Sequence, residues 1–277
     1  MHSSTLYAKL EKDFIKDEML DDWKEFVSEL KYVKRDFLDK GMGVVCDFAE
    51  KINKVYTAVF PSKKVMQKIV DDNVENAMLF VHHAAVWDIR NAPNVFTPMD
   101  EKMLEKFRQN KISVYCLHVP LDNFCKQGTS VTLAKALGIR ELEPFGKYYG
   151  AMAGVIAKQQ INLNELKQRL EKAVGHKIKT YNYGPEITTP AFVAGGGNDL
   201  EILGQLKEKA NTLITGISAK SDYSKKAHQF AEENKINILG GTHYSTEKFS
   251  MIAMADYFQN LGLGSEFVQD EPVFEDM

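Results

Sequence analysis

Short apolar runs alternate with amphipathic stretches along this chain, and the alternation predicts strands followed by helices. In residues 20–30 the apolar positions recur three or four apart, a helical spacing, and Gly41 and Gly43 end that charged N-terminal region. Lys54 to Phe60 predicts a strand, and Pro61 and Ser62 open a helix to about Asp72. Ala77 to His83 is apolar almost throughout, as expected for a strand covered on both faces. The cycle then repeats, with a helix from Pro98 to about Gln109, a strand from Ile112 to His118 and a helix from about Gly128 to Gly138. A strand over 152–157 and a helix over 164–174, stopped by Gly175, come next. Short strands over 177–181 and 191–194, a helix from Asn198 to about Lys209 and a strand over 213–215 follow. A helix through Phe230, a strand over 236–239 and a last helix over about 247–260 complete the pattern. The fold class is α/β with mainly parallel sheet. The stretch 175–190 is the weakest point of the alternation and a candidate joint between two halves.

Composition narrows the class. At 277 residues, with 44% hydrophobic and 26% charged side chains, the chain is long enough for a core that needs no staples. Its net charge of −3 gives no field that favours nucleic acid, so nucleic acid is not an expected partner. Cys46, Cys116 and Cys125 are odd in number and lack CxxC spacing, which fits a reducing cytoplasm better than a disulfide framework. No apolar run approaches a membrane span, and the first residues lack the form of a signal peptide.

The chemistry gathers at predicted strand ends. His82 and His83 close one apolar run, His118 and Asp122 follow another, and His243 and Glu247 follow a third. Neighbouring residues in a strand point to opposite faces, so His82 and His83 serve one site only where the strand ends and the chain turns. Ligands in open α/β sheets collect at that end of the strands. Pro120 disfavours helix at Val119, so His118 and Asp122 are expected to converge through a turn. His243 and Glu247, with no proline between them, are expected on one face of a helix. One His-x-x-x-carboxylate pair arises easily by chance; two of them together with a His-His pair, all at strand ends, make a metal site the better reading. Four imidazoles and two carboxylates without thiolate suit two divalent transition metal ions, from among Zn, Fe, Mn, Co and Ni, with Asp122 and Glu247 as bridges. His2, His176 and His228 are expected to be ordinary surface residues. The glycines 195–197 match neither a dinucleotide fingerprint nor a P-loop and are expected to form a structural turn. Ser218 and Ser221 belong to a polar loop, and Cys116 to the core.

With these residues assembled, the chain resembles the Nif-three-like family, also described as GTP cyclohydrolase type 2-like. The resemblance runs over roughly 43–268. It rests on His82-His83, on His118 with Asp122 and on His243 with Glu247, supported by the run from Gly128 to Gly138 and the glycines before Asn198. Departures stand at Ala84, where the family usually has Pro, at Thr242, where Gly is common, and at Ile217 and Ser221-Asp222, where Glu and histidines are frequent. The resemblance implies a Nif-three-like fold of two interlocked α/β halves, 1–140 and 141–277, with mainly parallel or mixed sheets, the site between the halves and no inserted domain. It also implies a homo-oligomer, typically a hexameric ring.

Two functions follow from these readings. One is a metal-dependent hydrolase resembling GTP cyclohydrolase type 2, acting on a small molecule such as a nucleotide, with activated water attacking a purine ring or cyclic amide. The other is a non-catalytic metal-binding or regulatory ring-shaped scaffold. No catalytic acid or base is assigned; Tyr244, Tyr115, Lys220 and Asp88 are candidates by position alone.

Overall fold

The structure, a computed structural model, describes all 277 residues. The chain divides into two compact units, Met1–Leu121 with Met251–Glu271, and Asp122–Ser250 with Pro272–Met277.

The first unit is built on a five-stranded sheet in the order Gly43–Cys46, Ile112–Cys116, Ala77–Val81, Lys54–Ala58, Gly264–Phe267. The first pair is antiparallel and the other three pairs are parallel. Parallel neighbours need crossovers, which the helices Lys63–Asp71 and Glu101–Gln109 supply. Both start on side-chain caps: Ser62 accepts the N–H of Val65, and Asp100 accepts those of Lys102 and Met103. Every residue of Ala77–Val81 and Ile112–Cys116 is buried, which is why these strands read as unbroken apolar runs.

The N-terminal region departs from expectation. Residues 20–30 do not form one helix; a five-residue 3-10 turn, Trp23–Val27, stands there, and longer α-helix lies earlier, over Ser3–Phe14. The Asp21 carboxylate accepts the Trp23 N–H at 3.0 Å, a local bond that competes with helix.

The second unit carries a six-stranded mixed sheet in the order Lys179–Tyr181, Asn237–Gly240, Thr212–Thr215, Pro190–Val193, Ala151–Ala157, Leu142–Tyr148. The Pro190–Val193, Thr212–Thr215 and Asn237–Gly240 strands are parallel, and the other pairs are antiparallel. Side chains alternate between two cores. Phe192, Ile214 and Leu239 pack with Leu133, Leu166 and Leu170 on one side. Ala191, Val193, Leu213 and Ile238 pack with Ile202, Leu206 and Ala231 on the other.

Candidate metal centre

In the first unit the Ala77–Val81 strand ends just before the paired histidines, but its hydrogen-bond ladder runs on. The N–H groups of His82 and His83 donate to the carbonyls of Ala58 and Val59, at 3.2 and 3.0 Å. Both side chains are buried, their ring centroids 4.3 Å apart and their planes inclined by 61°. His118, beyond the Ile112–Cys116 strand, brings its ring centroid to 5.1 Å from His82 and 4.7 Å from His83. Each of the three offers a ring nitrogen within 4.8 Å of the others, a group able to hold a cation. His82 Nδ1 lies 3.0 Å from the Leu117 carbonyl, which can only accept, so Nδ1 carries the proton and Nε2 is the donor atom.

His118 is held from its other side. Its Nδ1 lies 3.1 and 3.2 Å from the two carboxylate oxygens of Asp21, which also accepts the Val119 N–H. Burial pushes the Asp21 carboxyl up, but the charge and hydrogen bond of His118 and the Trp23 and Val119 N–H groups outweigh it and leave the group below its ordinary value. The Trp23 ring lies 4.0 Å from that of His83 and 5.3 Å from that of His118, and Phe60 stacks on His83 at 4.9 Å. The Cys116 S–H donates to the His82 carbonyl, and burial pushes its thiol well above the ordinary value, so it stays a protonated core residue.

The segment after His118 corrects the sequence reading. Val119–Asp122 is a single helical turn, not an open one, with Leu121 N–H donating to the His118 carbonyl at 2.9 Å. Pro120 is tolerated because the first turn of a helix needs no N–H from it. Asp122 is buried and accepts a 2.9 Å hydrogen bond from the Thr129 hydroxyl.

The last helix, His243–Asn260, begins in the second unit. Thr242 and Ser245 cap it reciprocally: the Ser245 N–H donates to the Thr242 hydroxyl and the Thr242 N–H to the Ser245 hydroxyl. His243 Nε2 and Glu247 Oε1 face each other at 3.1 Å, as their spacing on a helix predicts. The Asp276 carboxylate accepts the His243 N–H at 2.9 Å. Asp122 and Glu247 each present a carboxylate oxygen within 4.8 Å of the other's, and both are buried. A cation bound beside two carboxylates that close would offset the repulsion between them. The donor set thus fits a divalent metal.

Gly195 leaves room for this arrangement. It has a φ of +67°, and a Cβ there would lie 2.1 Å from Glu247 Oε1 and 3.0 Å from His243 Nε2. Its N–H donates to the Thr246 hydroxyl, and that of Gly197 to the Thr215 hydroxyl, so the glycine run is a structural turn as expected. Asp199 caps the helix Leu200–Leu206.

Of the six expected ligands, the first unit brings together His82, His83 and His118, and the second brings together Asp122, His243 and Glu247. The expectation for His228 is corrected: it is buried, with Nε2 2.7 Å from the Ser218 carbonyl and Nδ1 3.2 Å from the Tyr183 hydroxyl. Its helix looked polar because its buried face holds little beyond Ala227, His228 and Ala231. Among the positional candidates, Asp88 accepts two hydrogen bonds from the Arg90 guanidinium and one from its backbone N–H. Tyr115 lies inside the core against Tyr7 and Phe80, Lys220 lies over the rings of Tyr181 and Tyr183, and Tyr244 is buried. Asp21, Trp23 and Asp276 were missed, since nothing in their local pattern marks them.

Fold and donors together define a class: an α/β protein with buried imidazole and carboxylate groups, at strand ends and on a helix, that are able to bind metal ions. The chain belongs to the Duf34/NIF3 (NGG1p interacting factor 3) family, which it matches over residues 27–271. It is 29% identical over 234 residues to the "GTP cyclohydrolase 1 type 2 homolog" of Pyrococcus horikoshii, covering 82% of this chain and 88% of that one. Its counterpart in Pyrococcus abyssi, of the same name, is 30% identical over 218 residues, covering 76% and 82%. The crystal structure of TTHA1606 from Thermus thermophilus shares the fold, with a TM-score of 0.71 and 23% identity over 98% of this chain and 99% of that one. No helix is long and apolar enough to cross a membrane.

Proposed function

We propose that this protein is a dinuclear metal-dependent hydrolase resembling GTP cyclohydrolase type 2. On this reading His82, His83, His118, His243, Asp122 and Glu247 would hold two divalent ions, with Asp122 and Glu247 as the carboxylates common to both. The observation that carries the reading is the buried Asp122–Glu247 carboxylate pair, which calls for a compensating cation. Nitrogen and oxygen donors without thiolate suit Zn, Fe, Mn, Co or Ni.

When bound, such ions polarise a substrate oxygen or nitrogen and lower the pKa of water toward neutrality. The chain's own part is orientation and dryness. The Leu117 carbonyl fixes the His82 tautomer, the Thr129 hydroxyl aims the Asp122 carboxylate, and burial keeps these donors out of bulk water. The names of the relatives support a small-molecule substrate of the purine nucleotide class. The family resemblance supports a homohexamer.

A second reading, a metal-binding scaffold without catalysis, is favoured by one observation: Asp88 and Tyr115 are committed to Arg90 and to the core. Elemental analysis of purified protein tests the shared premise, with two transition metals per chain expected and fewer than one refuting it. Asp122→Ala and Glu247→Ala should each abolish both metals; loss of one alone would remove that residue as a bridge. A nucleotide and cyclic-amide screen of the metal-loaded protein separates hydrolase from scaffold, since uniform inactivity with both metals bound selects the scaffold.

A further inference from the structure

His82 and His118 have their tautomers set by different devices. For His82 the partner is the Leu117 backbone carbonyl; for His118 it is the Asp21 side chain, 97 residues away in sequence. The Asp21 side chain is fully buried, and its carboxylate takes hydrogen bonds from Trp23 N–H, Val119 N–H and His118 Nδ1. Burying a carboxylate is costly unless every donor around it is well placed. The backbone is arranged to allow it. At Gly41, with a φ of +76°, a Cβ would lie 2.4 Å from the Asp21 carbonyl oxygen, so only glycine lets the chain pass that close. The same turn sets Trp23 against the rings of His83, His118 and Phe96. Asp21 and Trp23 both precede residue 27, where the family match begins.

We infer that Asp21 is a positioning residue for the metal centre: it holds the proton of His118 on Nδ1, so that Nε2 is presented as the donor atom. The inference rests on the metal-centre reading above. A carboxylate only accepts, so the ring nitrogen facing it carries the hydrogen, and the unprotonated nitrogen points the other way. Trp23 packs against the ring at a tilt of 54° while Asp21 holds its Nδ1 edge. The bland alternative is that Asp21 merely caps the one-turn helix through the Val119 N–H. That role leaves the tautomer of His118 indifferent to Asp21.

Nitrogen NMR of ring-labelled histidine reads the tautomer directly, first in the metal-free wild type. His118 is expected protonated on Nδ1; protonation on Nε2 overturns the inference without any variant. In D21N the His118 signal should move to a mixture of tautomers, and Zn²⁺ affinity, measured by chelator competition, should fall about 10–100-fold. In D21E, which keeps the carboxylate, the Nδ1 proton and part of the affinity should return. An unchanged tautomer or unchanged affinity in folded D21N refutes the positioning role. Nδ1-protonated His118 in a wild type that binds no Zn²⁺ supports Asp21 as the tautomer anchor and instead removes the metal-centre reading.

Discussion

Gly195→Ala tests the second unit's part of the site most directly. The new methyl would stand 2.1 Å from Glu247 Oε1, and restoring the 3.4 Å of ordinary contact requires a retreat of about 1.3 Å. His243 Nε2, at 3.0 Å, must give as well. Two costs add. Placing alanine at positive φ costs about 1–2 kcal/mol, and overpacking a filled interior costs about 1–3 kcal/mol more. Gly175→Ala isolates the first, because Gly175 has a φ of +87° and nothing within 4 Å of a Cβ. Thermal unfolding of both variants after chelator treatment gives the comparison, at roughly 2–4 °C of melting temperature per kcal/mol. Gly195→Ala should lie clearly below Gly175→Ala, and it alone should lose metal in elemental analysis. A Gly195→Ala protein as stable as Gly175→Ala, with wild-type metal content, would refute the claim that this glycine makes room for Glu247.

Two further outcomes are expected. Asp276→Ala leaves the buried His243 N–H without its carboxylate acceptor and should cost about 1–3 kcal/mol in chemical denaturation, with Asp276→Asn milder. Burial holds the His228 pKa below the ordinary imidazole value, with Lys220 adding to it and the Ser218 carbonyl opposing. The unfolded chain therefore binds this proton more readily, and stability should fall as pH drops through about 6.5. Denaturation across that range should show a shallower loss in His228→Gln; an identical slope would mean that another group sets it.

Much of the fold was legible because the central strands are buried on both faces and therefore read as apolar runs. Ala77–Val81, Ile112–Cys116 and Thr212–Thr215 are of this kind. Strands with exposed surface were missed. Leu142–Tyr148 carries Glu143, Pro144 and Lys147 among its apolar residues, and Gly264–Phe267 has no fully buried position. The six candidate ligands stood out through chemistry and place in the alternation. The residues that aim them did not. Asp21 sits beside Asp22 in a charged segment, and Asp276 in another, and their roles come from partners 97 and 33 residues distant. No local spacing encodes such a contact. Pro120 misled for a different reason: the rule that a proline ends a helix gives way in its first turn.

The two ladder bonds from His82 and His83 to Ala58 and Val59 have a kinetic consequence. Their amide protons lie in the interior of a sheet, so hydrogen exchange there should proceed only when the strands themselves part. The imidazoles are therefore aimed when the sheet assembles, before any ion arrives. A cation entering or leaving a site formed by these rings would demand no refolding of the strand that carries them.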